Sequence, residues 1–188
     1  SDVYKRQDET DEIVYLSESD GWRQLYLIDV KKGKLKNQIT KGKFVVRYVD
    51  WIDKEKRQIW FRASGLNKNQ DPYLMHYYRV NFDGSGFTPL TEGNGWHNIT
   101  FSPDRKYIID QYSRIDMAPV NELRRVSDGA LVCSLEKSDI SELLASGWEP
   151  PEVFTANGRD GKTGIWGIVA KPKDCLLYTS DAADENPS

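Results

Sequence analysis

Short runs of alternating, or of aromatic and β-branched, residues cover most of the chain, and each run is closed by a turn. Leu25-Tyr26-Leu27-Ile28-Asp29, Val45 to Ile52, Gln58 to Ala63, His76 to Val80, Trp96 to Phe101 and Tyr107 to Ser113 read as strands. Asp83-Gly84 and Asp128-Gly129 are hairpin-turn dipeptides. Ser102-Pro103-Asp104 predicts another turn, since proline presets the first dihedral and aspartate bonds its own backbone. Cys133 follows Leu131 and Val132 in a strand-like run, which predicts a buried, inert thiol.

These runs repeat. Tyr26 matches Tyr77, Gly33 matches Gly84, Thr40 matches Thr91 and Gly42 matches Gly93, all at one constant offset. A weaker third copy runs from Leu123 through Asp128-Gly129 to Leu135, with the glycine-to-apolar spacing of Gly33 to Ile39 and Gly84 to Leu90. Each copy is strand, turn, strand, and two further strands stand between copies. Four antiparallel strands per roughly 45–50 residues is the pattern of a β-propeller blade. The expected architecture is mainly β: one incomplete blade (about Ile13–Thr40) and two complete four-stranded blades (about Phe44–Leu90 and Trp96–Leu135). A β-sandwich with similar hairpins competes, but the shared offset covers turn, strand and aromatic positions together.

Beyond the third copy the pattern changes. Asp139 and Glu142 stand at capping-box spacing before a short helix, Leu143 and Leu144 give it an apolar side, and Gly147 ends it. Pro150-Pro151 breaks the chain, and Glu152 to Thr155 and Ile165 to Ala170 predict two new strands around Gly158-Arg159-Asp160-Gly161. A domain boundary is expected near Gly147–Pro151.

Composition adds exclusions. The 188 residues are 38% hydrophobic and 29% charged, a globular balance, and no run approaches the roughly 18 apolar residues of a membrane span. A net charge of −3 gives no basic footprint for nucleic acid. Lys31, Lys32, Lys34 and Lys36 surround Gly33 and read as a solvated hairpin. Ser1 to Gln7 has no apolar core, so no signal peptide is visible. Cys133 and Cys175 form neither a metal spacing nor a disulfide framework, and no metal or cofactor is expected.

The ordered motifs resemble one family. Ser17-Glu18-Ser19-Asp20-Gly21-Trp22-Arg23-Gln24-Leu25-Tyr26-Leu27, Thr40-Lys41-Gly42, Ile59 to Gly65, and Phe101-Ser102-Pro103-Asp104 leading to Tyr112-Ser113 resemble late propeller blades of dipeptidyl peptidase IV-like serine peptidases. Those enzymes belong to the prolyl oligopeptidase clan. Gly147-Trp148-Glu149-Pro150-Pro151-Glu152-Val153-Phe154, with Gly158 to Thr163 and Trp166-Gly167-Ile168, looks like the crossing into the first hairpin of that family's α/β-hydrolase domain. The resemblance divides the chain into a partial propeller over 12–147 and the start of a hydrolase domain over 148–173. Residues 1–11 and 174–188 look like adapter-derived or disordered tails.

The resemblance implies a parent enzyme that releases X-Pro or X-Ala dipeptides from peptide N-termini by metal-free acyl-enzyme chemistry. It also implies a periplasmic or secreted location, and relatives often dimerise. The family's serine sits in G-x-S-x-G on a strand-to-helix elbow. No such spacing occurs here: Gly84-Ser85-Gly86 is a hairpin turn, and Ser64-Gly65 lacks the leading glycine. His76 and His97 are the two histidines, and both fall in or beside blade strands, where packed or surface imidazoles are expected. Asp8-Glu9-Thr10-Asp11-Glu12 is read as a solvated approach to a strand rather than as the family's amine-binding glutamates. No catalytic, cofactor-binding or metal residue is assigned, and the chain itself is expected to be inactive. The competing function is a non-enzymatic propeller that binds protein or glycan.

Overall fold

The computed structural model describes residues 11–171 and the backbone of residues 3–6. Three four-stranded antiparallel sheets follow one another, each a simple meander. The first holds β1 (Val3–Arg6), β2 (Glu12–Ser17), β3 (Gln24–Asp29) and β4 (Lys34–Gln38). The second holds β5 (Val45–Asp53), β6 (Gln58–Ser64), β7 (Met75–Asn81) and β8 (Thr88–Pro89), and the third β9 (Trp96–Phe101), β10 (Tyr107–Arg114), β11 (Met117–Arg125) and β12 (Leu131–Lys137). A short helix, α1 (Ser141–Ala145), precedes a separate hairpin of β13 (Glu152–Asn157) and β14 (Gly164–Val169). Two compact units divide between Asp139 and Ile140, so α1 groups with the hairpin. The sheets are the expected blades, with one addition. The blade read as incomplete carries a fourth strand, because β1 pairs antiparallel with β2. Strand pairing satisfies backbone groups that β2 would otherwise present as an open edge.

The repeat positions do equivalent work. The Thr40 hydroxyl accepts the Leu25 amide at 2.9 Å, and the Thr91 hydroxyl accepts the Tyr77 amide at 3.1 Å. The Ile39 amide donates to the Leu25 carbonyl at 2.7 Å, and the Leu90 amide to the Tyr77 carbonyl at 2.8 Å. Tyr77 therefore corresponds to Leu25, not to Tyr26 as the constant offset had it. The extra residue lies between Leu25 and Gly33, and the β3–β4 ladder also bulges where Leu27 pairs with Asn37 and Ile28 with Leu35.

Burial shows which faces are stacked. Val14, Leu16, Leu25, Leu27, Val46, Ile59, Phe61 and Val80 form a core between the first two blades. Trp60, Tyr77, Leu90, Ile108 and Val126 form a smaller one between the second and third. In β6 both faces are covered, so the strand reads as a nearly continuous buried run. In β10 only alternate residues, Ile108 and Asp110, are buried. All of β12 is exposed. Cys133 therefore lies in the open, contrary to the expected buried thiol, and Leu135 is exposed where its counterparts Ile39 and Leu90 are buried. Alternation identified the strand but not which faces are covered.

The second unit also differs from expectation at its start. The helix begins at Ser141, so the cap position falls on Ile140, which makes no side-chain capping bond, rather than on Asp139. Leu143 and Leu144 are exposed. Gly147 does end the helix, with positive φ and its amide on the Leu144 carbonyl at 3.0 Å.

Adjacent blades also meet through hairpin turns. Asn37 of the first blade donates to the Phe82 carbonyl at 2.9 Å, and Arg79 of the second donates to the Ser127 carbonyl at 2.9 Å. Gly129 lies so close to the second blade that an added Cβ would stand 2.1 Å from the Pro89 carbonyl oxygen. Its φ of +74° also disfavours any side chain. Gly33 shares a positive φ, but the space around it is open. Gly33→Ala should therefore cost the backbone term alone, about 1–2 kcal/mol. Gly129→Ala should cost well beyond that by forcing the blades apart, and urea denaturation of the two variants checks the difference.

A buried histidine cluster and its setting

The chemistry-bearing residues converge at the junction of the second and third blades. Pairing of β9 with β10 sets His97 opposite Tyr112, two register steps from the Asp110–Ile99 pair. His97 Nδ1 lies 2.8 Å and 3.0 Å from the two Asp110 carboxylate oxygens. Its Nε2 lies 3.2 Å from the Gly93 carbonyl oxygen. Arg124, from β11, approaches Asp110 at 3.6 Å, pairs with Glu122 at 2.7 Å and reaches Glu92 at 3.2 Å. His97 and Asp110 are wholly buried, and Arg124 and His76 nearly so. The His97 ring is stacked between Tyr112, at 4.8 Å, and His76, at 4.4 Å.

His76, on β7, ties down a loop. Its Nε2 is 2.9 Å from Gln70 Oε1 and 3.0 Å from Asn67, and its Nδ1 is 3.4 Å from the Thr91 hydroxyl. Gln70 in turn donates to the Gly93 carbonyl at 3.3 Å. The loop after β6 and the crossover from β8 to β9 are thus fastened to the same pair of imidazoles. Burial, reinforced by the neighbouring His97, pushes the His76 pKa down to about 3. Burial also pushes the Asp110 carboxyl upward, against the pull of His97 and Arg124.

A His–Asp pair is two-thirds of an acid–base triad, so its surroundings decide what it can do. A general base needs a ring nitrogen within reach of the proton it removes. Both nitrogens of His97 face acceptor oxygens, and the ring is closed to solvent. The hydroxyl beside His76 belongs to Thr91, which accepts the Tyr77 amide and is itself buried. The cluster is a clamp between blades. Among the described residues no group of three or more His, Cys, Asp or Glu side chains could hold a metal ion.

The remaining sequence candidates are scattered. Gly84-Ser85-Gly86 is a hairpin turn closed by the Asp83 carboxylate, which accepts the Ser85 amide at 2.9 Å. The Ser102-Pro103-Asp104 turn forms as expected, with Asp104 accepting the Lys106 amide at 3.1 Å. Glu12 is a correction: it is buried rather than solvated, held by Lys36 and by Arg57 at 2.8 Å. Both cations draw its carboxyl below the usual range. Asp8, Glu9 and Thr10, Cys175 and the 174–188 tail lie outside the described residues.

A family model for the dipeptidyl peptidase IV (DPP IV) N-terminal region matches residues 2–119. The chain belongs to that family. The match begins within the stretch read as a tail and ends before Gly147–Ile168. Dipeptidyl peptidase 4 of Arthroderma otae is 29% identical over 117 residues, covering 61% of this chain and 14% of that protein. The Trichophyton equinum enzyme is 28% identical over the same extent. Porphyromonas gingivalis dipeptidyl peptidase 4 superposes with a TM-score of 0.64 at 23% identity, over 87% of this chain and 22% of that one. A putative dipeptidyl aminopeptidase IV from Bacteroides ovatus gives 0.64 at 20%, over 87% and 25%. At these identities the two structures show a shared fold. The chain thus spans 14% of the length of the curated relatives it matches.

The clamp makes stability pH-dependent. The unfolded chain protonates His76 near its ordinary 6.5, whereas the folded chain resists down to about 3. The contribution of neutral His76 is therefore complete above pH 6.5 and is lost as pH falls from 6.5 toward 3. Asp110, shifted upward, works in the opposite sense above its ordinary 3.8. His76→Gln should lower stability at pH 7 and flatten the acid-side slope, as read from urea midpoints between pH 4 and 7.

Proposed function

We propose that this chain is scaffold from a serine exopeptidase of the dipeptidyl peptidase IV type. The parent enzyme releases X-Pro or X-Ala dipeptides from peptide N-termini and acts in a periplasmic or secreted setting. The observation that carries this reading is the family match over residues 2–119, which falls on the three blades rather than on a hydrolytic centre.

In this reading β13, β14 and the preceding Trp148-Glu149-Pro150-Pro151 begin the α/β-hydrolase domain. Their separation as a two-stranded sheet supports a new module after the blades. Val153, Phe154, Ile165 and Ile168 are exposed, and a two-stranded hairpin is marginal without something packed on it. The blades contribute walls and access, and the nucleophile comes from elsewhere in the parent. His76 and His97 are committed to packing, so neither imidazole is free to serve as general base to a serine.

Two measurements test the proposal. The genomic reading frame should continue into a G-x-S-x-G elbow followed by aspartate and histidine, and its complete product should release dipeptides from Ala-Pro and Gly-Pro chromogenic substrates. The 188-residue chain should show no labelling by a fluorophosphonate probe. Labelling of this chain, or a reading frame that closes the propeller with no elbow, defeats the reading.

A further inference from the structure

The turn ends of the blades carry positive charge that the chain's net charge of −3 does not suggest. A groove of about 410 Å³ runs between the second and third blades and is lined by Trp51, Lys56, Arg79, Arg105, Lys106 and Arg125, with Asp104 among them. A second depression, between the first and second blades, shares Lys56 and adds Lys36 and Arg57. Not all of these cations are free. Lys106 reaches Asp104 at 3.5 Å, Arg125 pairs with Asp128 at 2.7 Å, and Lys36 and Arg57 hold Glu12.

Three positive side chains in the first groove have no carboxylate partner among the described residues. Arg105 lies 4.0 Å over the Trp51 ring and 5.5 Å from the Phe101 ring, a cation–π arrangement that fixes the guanidinium without neutralising it. Arg79 spends its terminal nitrogens on the Val126 and Ser127 carbonyls and on Thr88, and its Nε is buried with no acceptor. Burial lowers its pKa, with Asp128 partly opposing. Lys56 is bonded through its backbone amide to Asp53, and its ammonium is exposed at the mouth. Beneath them Trp51 and Trp60 pack ring to ring at 4.3 Å, giving the positive rim a rigid apolar floor. The buried side-chain atoms of this lining that lack a partner, Trp60 Nε1 and Arg79 Nε, are both donors.

We infer that the groove between the second and third blades is an oxyanion-binding site for carboxylate or phosphate groups, held chiefly by Arg105 and Lys56. The inference is independent of peptidase activity, because it uses only the blade turns. Charge-assisted bonds to such groups are about twice as strong as neutral ones and favour bidentate guanidinium contacts. At an exposed rim the attraction is screened as ionic strength rises.

The test follows tryptophan fluorescence of the 188-residue chain, since Trp51 and Trp60 form the floor. Titrants are inorganic phosphate, citrate and a blocked tri-glutamate peptide, with a blocked tri-lysine peptide as control, all at matched ionic strength. Saturable binding of at least one anion is expected, weakened by salt and absent for tri-lysine. A tighter response to tri-glutamate assigns the site to polypeptide carboxylates, and an equal response to phosphate assigns it to free oxyanions. The Lys56→Gln/Arg105→Gln double variant should lose affinity by about ten-fold or more, as the loss of charged hydrogen bonds requires. Both positions are on the surface, so circular dichroism should confirm an unchanged fold. Lys34→Gln, distant on the first blade's hairpin, should leave binding unchanged. Absence of saturation by any anion, or equal affinity in the double variant, overturns the inference.

Discussion

The structure depends on the stacking of one sheet face on the next. A four-stranded sheet on its own leaves both faces open to water, and the apolar residues of β5–β8 point both ways. Ile59, Phe61 and Val80 serve the first blade, while Trp60 and Tyr77 serve the third. The second blade is therefore the best covered of the three, and its neighbours are each covered on one side. Backbone contacts register this stacking. The close approach of Gly129 to the Pro89 carbonyl leaves no room for slippage between blades, and Asn37 and Arg79 each hold the next blade's turn by its carbonyls.

Much of this was legible in the residues. Strand, turn and repeat signals agreed, because a glycine with positive φ in each blade's last hairpin, and a threonine at the end of the first two blades, leave marks at a regular spacing. The threonine marks proved to be amide acceptors, which explains why they recur. What could not be read was anything set by one-residue geometry or by a neighbour outside the repeat. One extra residue between Leu25 and Gly33 moves the true partner of Tyr77 to Leu25, and no local residue type announces it. Cys133 and Leu135 sit in an alternating strand whose burial depends on what covers its face, and alternation carries no information about that.

The candidate site was harder to read still. His76 and His97 stand 21 positions apart, and Asp110 lies a further 13 along, in a spacing no catalytic motif shares. Only the antiparallel register of β9 and β10 brings imidazole and carboxylate together, and only β11 adds the guanidinium. Glu12 shows the same limit: a charge within an acidic run was expected to be solvated, but Lys36 of β4 and Arg57 of the β5–β6 turn converge on it.

The two blade junctions solve one problem by different means. The first rests on the larger apolar core, whose stability scales with area removed from water, and adds the Glu12–Arg57 pair and the Asn37 bond to Phe82. The second has a smaller apolar cluster and a buried network of imidazole, carboxylate and guanidinium. Such a network adds little net stability over a well-packed apolar core, because desolvating each charge offsets most of the attraction. Removing one member leaves another buried and unpaired, at a cost of about 3–5 kcal/mol. Its effect is therefore on arrangement. The hydrogen bonds of His76 and His97 can be satisfied only when the loop carrying Asn67 and Gln70 and the crossover at Gly93 are both in place. A junction of that kind tolerates one docking of its blades and penalises the rest.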